Sequence, residues 1–324
     1  MTPLFLVQSH NNPAQLVRLA TLIRTTLPQS VVLFSHDVRA APLDKDLFGK
    51  DDAILVTQGQ GGRGDFAILD GYLDALRFLR REGIRYDWLT NLSAQDYPVH
   101  SLEGMVAVLA AAEDHDGFLH HFDALAQDPD AMAPMAWPAG HGYERYHFQY
   151  AKLKDRIGTP ERAMLKIPRL LAERFPRGVR INTAYGLMVG RHAANAPFDE
   201  SFRCHAGSYW HTIRARCAEY LLDFAQERPD VVAYFRKVLI PDESFIQTVL
   251  MNNPAFRFEP RNRRYFDMRG SRHGHPQLLT AETFDAYTDG RFFFARKFAP
   301  GAANAGLFDR LDRIARAPAA SQVG

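Results

Sequence analysis

Cysteine is scarce: Cys204 and Cys217 are the only two in 324 residues. That excludes a disulfide framework, and neither sits in a Cys/His ligand pattern, so both are expected as core thiols in a reducing, cytoplasmic setting. Long apolar runs are missing too. Residues 106–112 form one of the longest, far short of the roughly 20 that span a bilayer. The apolar stretch at residues 4–7 has no basic segment before it and does not read as a signal peptide, so the sequence predicts a soluble protein. Charge of one sign is also lacking, the net value being +2, which excludes the broad basic surface of a dedicated nucleic-acid binder. There is no HExxH or Cys/His zinc motif, no G-x-S-x-G elbow, no dinucleotide glycine pattern and no P-loop ending. Metal and cofactor sites of those types are therefore not expected.

The composition that remains, 46% hydrophobic and 23% charged, is that of an ordinary globular chain. Residues 4–9 read as a buried strand, and Leu16, Leu19, Ala20, Ile23 and Leu27 follow at helical spacing. Residues 31–35 form a second strand, Leu69, Leu73, Leu76 and Leu79 mark a second helix, and residues 88–92 a third strand. Ser101 is placed to cap a helix through residue 112, and 117–121 reads as a fourth strand. This alternation predicts an α/β fold with a mostly parallel central sheet flanked by helices and ligands at the carboxyl ends of the strands. Ser9, His10, His36, Asp37, Gln95 and Asp96 fall on that rim. Residues 123–138, rich in Ala, Asp, Pro and Met, read as a loop or lid. Beyond residue 180 come a strand at 185–189 and helices at 210–225 and 244–251.

Four constellations carry candidate chemistry. In Pro241-Asp242-Glu243-Ser244 two acids precede a run spaced as a buried helix face; they either answer the helix dipole or supply a general base. Arg296-Lys297, after the aromatic run 292–294, suits a diphosphate leaving group or is a solvated pair. Arg257, Arg261, Arg263, Arg264, Tyr265, Arg269 and Arg272 form a basic stretch which, at this net charge, fits surface arginines or a phosphate loop better than a nucleic-acid patch. Gly59, Gly61, Gly62 and Gly64 precede a helix and default to a turn.

Taken in order, several motifs resemble one family, the core-2/I-branching N-acetylglucosaminyltransferases and peptide O-xylosyltransferases. They are Ser9-His10-Asn11, Ser35-His36-Asp37, the octet Asn91-Leu92-Ser93-Ala94-Gln95-Asp96-Tyr97-Pro98, Gly207-Ser208-Tyr209-Trp210, residues 241–250 and Phe294-Ala295-Arg296-Lys297-Phe298. The wording is closer to the xylosyltransferase branch. The chain departs from it at Arg63, where many relatives carry an aromatic residue, and in having no membrane anchor.

The resemblance implies a GT-A-type nucleotide-sugar-binding fold with a C-terminal extension. It implies an inverting, metal-independent glycosyltransferase with no cofactor, moving xylose or N-acetylglucosamine from a UDP-sugar to an acceptor hydroxyl. Glu243 matches the family's catalytic base. Ser9, Asp37, Asp96, Arg264, Arg296 and Lys297 match donor-side positions, and Ser208, Trp210 and Asp242 acceptor-side ones. As one glycosyltransferase domain, the chain divides into a nucleotide-sugar-binding half (1–122), a variable insertion (123–180), an acceptor and catalytic part (181–260) and a diphosphate-binding extension (261–324). A glycan, a lipid-linked saccharide or a protein hydroxyl fits as acceptor, and peripheral attachment at the inner face of a membrane is compatible with the sequence. The alternative is a non-catalytic sugar- or nucleotide-binding protein on the same fold; a glycoside hydrolase would need two spaced carboxylates and no diphosphate clamp.

Overall fold

Alternating side chains in the first strand serve two cores. Leu4 and Leu6 of β1 (Pro3–Ser9) pack with one hydrophobic cluster, and Phe5 and Val7 with the other, all fully buried. A strand covered on both faces reads as a continuous apolar run, which is what residues 4–7 show. The computed structural model describes residues 1–48, 54–58, 64–126, 128–135, 137–138, 140–175, 177–269, 276–299 and 304–319. Gly59, Gly61, Gly62, Arg63 and Arg272 lie outside them.

After β1 come α1 (Pro13–Thr26), β2 (Val31–Asp37), β3 (Ile54–Gln58), α2 (Ala67–Arg81) and β4 (Trp88–Ser93). There follow β5 (Tyr97–Pro98), α3 (Leu102–Ala111), β6 (Gly117–Leu119), β7 (Phe122–Asp123), α4 (Pro129–Met132) and α5 (His141–Tyr146). The next group is β8 (Phe148–Lys154), α6 (Thr159–Met164), α7 (Lys166–Glu173), β9 (Val179–Asn182) and β10 (Leu187–His192). Then come β11 (His205–Ala206), β12 (His211–Arg214), α8 (Ala215–Glu227), α9 (Pro229–Phe235) and α10 (Phe245–Met251). The chain ends with β13 (Phe258–Glu259), β14 (Arg264–Phe266), α11 (Phe284–Tyr287), β15 (Phe294–Arg296) and α12 (Ala305–Ala315).

The central sheet has seven described strands in the order β13-β6-β12-β4-β1-β2-β3. Only β12 among them runs antiparallel to its neighbours β4 and β6; the other pairings are parallel. The fold is therefore the expected α/β class with a mostly parallel sheet between helices. One face packs against α2, α8 and α10, the other against α1, α3 and α12. Each fully buried Leu or Phe contributes roughly 1.5–3 kcal/mol. Ser101 caps α3 as its sequence position predicts, its hydroxyl accepting from the Gly104 amide at 3.0 Å. Among the described residues no helix is long and apolar enough to cross a membrane. Cys204 and Cys217 are both free and buried.

One expectation changes. The helix expected over 210–225 begins only at Ala215, because residues 211–214 are β12. Thr212 sits against Thr90 (Oγ1 to Oγ1 3.1 Å), and the Asn91 side chain accepts from the His211 amide at 2.7 Å and donates to the Tyr209 carbonyl at 3.0 Å. The open edge of β4 thus captures a segment whose local periodicity merely continues that of α8. Strand β3, Ile54–Gln58, is not among the strands expected from the sequence. The boundary placed at residue 180 falls inside β9, which pairs with β10 and through it with β8. In the C-terminal part β14 pairs with β15, and β15 pairs with β5 of the N-terminal half.

Candidate active site

A cleft of about 1010 Å³ opens beyond the carboxyl ends of β1, β2 and β4. Register brings these ends level, with Ser9 opposite His36 and Gln8 opposite Ser93. Ser9, Asp37, Ser208, Trp210, Asp242, Glu243, Arg296 and Lys297 all line it. Residues spread over nearly 290 positions of sequence therefore share one wall.

The acids do not sit on the helix that follows them. Pro241–Glu243 forms its own 3-10 turn, and α10 starts at Phe245 after Ser244. Ile240, just before the turn, takes φ +51°, a conformation that costs a β-branched residue about 1–3 kcal/mol. It is held there by its amide donating to Gly64 O at 3.2 Å and its carbonyl accepting from Tyr146 Oη at 3.3 Å. This bend turns the acids toward the cleft.

Glu243 Oε2 accepts from Arg145 Nη1 at 2.5 Å and from Trp137 Nε1 at 3.2 Å, and the Arg145 guanidinium lies 4.2 Å over the Trp137 ring. Burial alone would lower the Arg145 pKa; the Glu243 charge beside it outweighs that and holds it above the usual guanidinium range. Among the described residues Oε1 accepts no hydrogen bond. One carboxylate oxygen is thus fixed by two donors while the other is open to the cleft. His141 lines the cleft beside Trp137; burial, with Arg145 nearby, pushes its pKa down to about 3, so its ring is neutral near pH 7.

Opposite chemistry gathers around Arg296. Its guanidinium stacks on Trp210, 4.2 Å from the ring centroid, and its Nε lies 3.5 Å from Asp96 Oδ1. Burial lowers the Arg296 pKa and Asp96 partly restores it. Trp210 is therefore a platform for a cation as well as a cleft wall. Lys297 follows in the chain, its carbonyl accepting from the Leu279 amide at 2.8 Å. A fixed positive charge with little water around it interacts strongly with an entering anion.

Two residues matched to donor positions lie behind this wall rather than on it. Asp96 is fully buried; its Oδ2 accepts from the Ser93 amide at 2.6 Å and from the Ser93 hydroxyl, and its Oδ1 forms an ion pair with Arg296 Nε at 3.5 Å. Arg264, 4% exposed, donates to the carbonyls of Asn91 at 3.1 Å and His211 at 3.4 Å and packs over Phe294. Burial depresses its pKa to about 10 against the pull of Asp96. Neither residue is among those lining the cleft: the turn after β4 and strand β14 bury both side chains, with Asp96 paired to Arg296.

Of the remaining residues, Ser9 Oγ lies 2.8 Å from His36 Nδ1, while His36 Nε2 lies 2.8 Å from the Ala41 carbonyl. A carbonyl needs a donor, so Nε2 carries a proton toward Ala41. Asp37 receives the Arg39 amide at 3.0 Å, and Ser208 receives the Trp210 amide at 3.4 Å. The sequence reading missed Arg145 and Trp137. A lone tryptophan in an Ala/Pro-rich loop was a usable signal; Arg145 had none.

No protein-family model matches the chain. In sequence it is similar to two β-glucuronosyltransferases of Arabidopsis thaliana, GlcAT14B and GlcAT14A, each 24% identical over 232 residues, or 70% of this chain. The match covers 44% and 42% of those proteins, so the chain spans less than half the length of the curated relatives it matches. Among solved structures it is similar to an active-site mutant of LgtC and to the galactosyltransferase LgtC in complex with donor and acceptor sugar analogs. Each has a TM-score of 0.37 at 11% and 10% identity, covering 96% of this chain and 95% of theirs. The two curated proteins that the chain resembles in sequence are thus both glucuronosyltransferases by name.

Proposed function

We propose that this protein transfers a sugar from a UDP-sugar to an acceptor hydroxyl by a single inverting displacement, on a GT-A-type fold, with no catalytic metal. The observation that carries this is one cleft holding Glu243, with an open carboxylate oxygen, and a stacked, partly buried Arg296 followed by Lys297. Glu243 Oε1 takes the acceptor proton as that oxygen attacks the anomeric carbon, and the bond to UDP breaks on the opposite face. Arg145 and Trp137 keep Glu243 aimed by holding its Oε2. Negative charge grows on the diphosphate, and Arg296 and Lys297 supply fixed positive charge there. Asp96 holds Arg296 in place from behind.

Calorimetric titration with UDP in EDTA, comparing the wild type with Lys297→Ala, tests the reading. Wild-type binding that weakens in the variant supports the diphosphate site; no wild-type binding ends it. A donor screen then takes UDP-xylose and UDP-N-acetylglucosamine, which the sequence motifs favour, and UDP-glucuronic acid, prompted by the names of the curated relatives.

A further inference from the structure

The helices α6 and α7 bury none of their residues. Yet Met164, Ile167, Leu170, Leu171 and Phe175 repeat at three- and four-residue steps along them and just beyond and are 50–78% exposed. Scattered exposed apolar residues need no explanation, but a contiguous stripe does. The helix is not loosely attached. It packs on β9, and Arg180 of β9 donates to the carbonyls of Ala172 at 3.2 Å and Phe175 at 2.9 Å, tying down its C-terminal end.

Charge says what the stripe faces. Residues 152–180 hold nine lysines and arginines against three acids, a net +6, while the whole chain is only +2, leaving −4 elsewhere. Arg156, Arg162, Lys166, Arg174 and Arg177 are exposed, and among the described residues none of these five forms an ion pair. An apolar stripe flanked by unpaired cations is the pattern of a helix lying in the headgroup region of an anionic bilayer. A partner protein face or a second copy with the same charge would not match it: the second copy brings +6 against +6.

We propose that the α6–α7 face docks this protein on an anionic phospholipid surface. The end of β9 and the turn to β10 extend from the same three-stranded sheet and contribute Asn182, Ala184 and Tyr185 to the cleft. Docking through α7 therefore holds the cleft beside the lipid. If the transferase reading stands, on which this last step rests, the acceptor is a membrane-borne saccharide.

The test is co-sedimentation with vesicles of phosphatidylcholine alone and of phosphatidylcholine mixed with phosphatidylglycerol. Two double variants are compared with the wild type, Leu171→Glu/Phe175→Glu and Lys166→Glu/Arg174→Glu; all four sites are exposed, and melting curves check that the fold persists. The wild type is expected to partition onto the mixed vesicles, with at least a tenfold loss in each variant and weakening by salt. No wild-type binding, or equal binding by both variants, overturns the proposal. So does a wild-type dimer dissolved by the apolar variant in place of vesicle binding. The UDP titration reads the cleft separately: docking without UDP binding removes the transferase reading alone, and UDP binding without docking removes this proposal alone.

Discussion

Arg145 Nη1 donates to Glu243 Oε2 at 2.5 Å across 98 residues of chain, and it does so from a buried position. The bond fixes which carboxylate oxygen is free. Glu243→Gln keeps the shape and removes the base, so turnover is expected to fall by about two to four orders of magnitude. UDP affinity, measured by calorimetry, stays within a few-fold because the cations are untouched. Normal turnover in this variant sinks the assignment.

Arg145→Met separates aim from basicity. Leaving the partly buried carboxylate without its cation is expected to cost about 3–5 kcal/mol of stability. Turnover falls while UDP affinity persists. A variant that loses UDP binding and stability together, and keeps turnover at saturating donor, shows that Arg145 serves the fold alone.

Asp96 offers a sharper distinction between contact and support. As the buried counter-ion of Arg296 and Arg264, its replacement in Asp96→Asn is expected to destabilise by about 3–5 kcal/mol. UDP affinity holds or rises, since the cleft becomes more positive. If Asp96 touched the donor directly, affinity would drop instead, so denaturation and titration on one variant decide between the two.

How far the sequence could reach is visible in these residues. Strand β1 and helices α1 and α2 were legible because burial on two faces, or on one, leaves a regular apolar period. The cleft was legible as a rim, since Ser9 and Asp37 end strands that the period had located. Segment 211–214 was not, because the edge of β4 rather than local preference decides its conformation. Nor were Arg145 and Trp137, whose bonds to Glu243 close over 98 and 106 residues and leave no local pattern. Motif matching alone also could not tell Asp96 and Arg264, which support the site from behind, from Arg296, which faces it.

The stacking of Arg296 on Trp210 gives a further measurable term. A cation over an indole at 4.2 Å is worth about 0.5–2 kcal/mol. UDP affinities of Trp210→Leu, Arg296→Ala and the double variant form a cycle whose coupling is expected in that range. Strict additivity shows that Trp210 acts on the acceptor and not through Arg296.

Buried histidines set the acid limit of the fold. His211 is buried between the Tyr72 hydroxyl, 3.0 Å from Nε2, and the Tyr209 carbonyl, 2.9 Å from Nδ1. Burial drives its pKa down to about 3, with Arg264 assisting and the Tyr209 carbonyl opposing. Burial likewise brings His141 to about 3 and His121 to about 4. Each binds its proton more tightly in the unfolded chain, so stability is complete above about pH 6.5 and falls as pH drops toward these folded values. For His211 alone the loss from pH 7 to pH 5 is about 2 kcal/mol. Urea denaturation at the two pH values measures it, and His211→Asn, though less stable, should show a pH dependence smaller by about that amount. A wild type equally stable at both values means these rings are not held neutral by the fold.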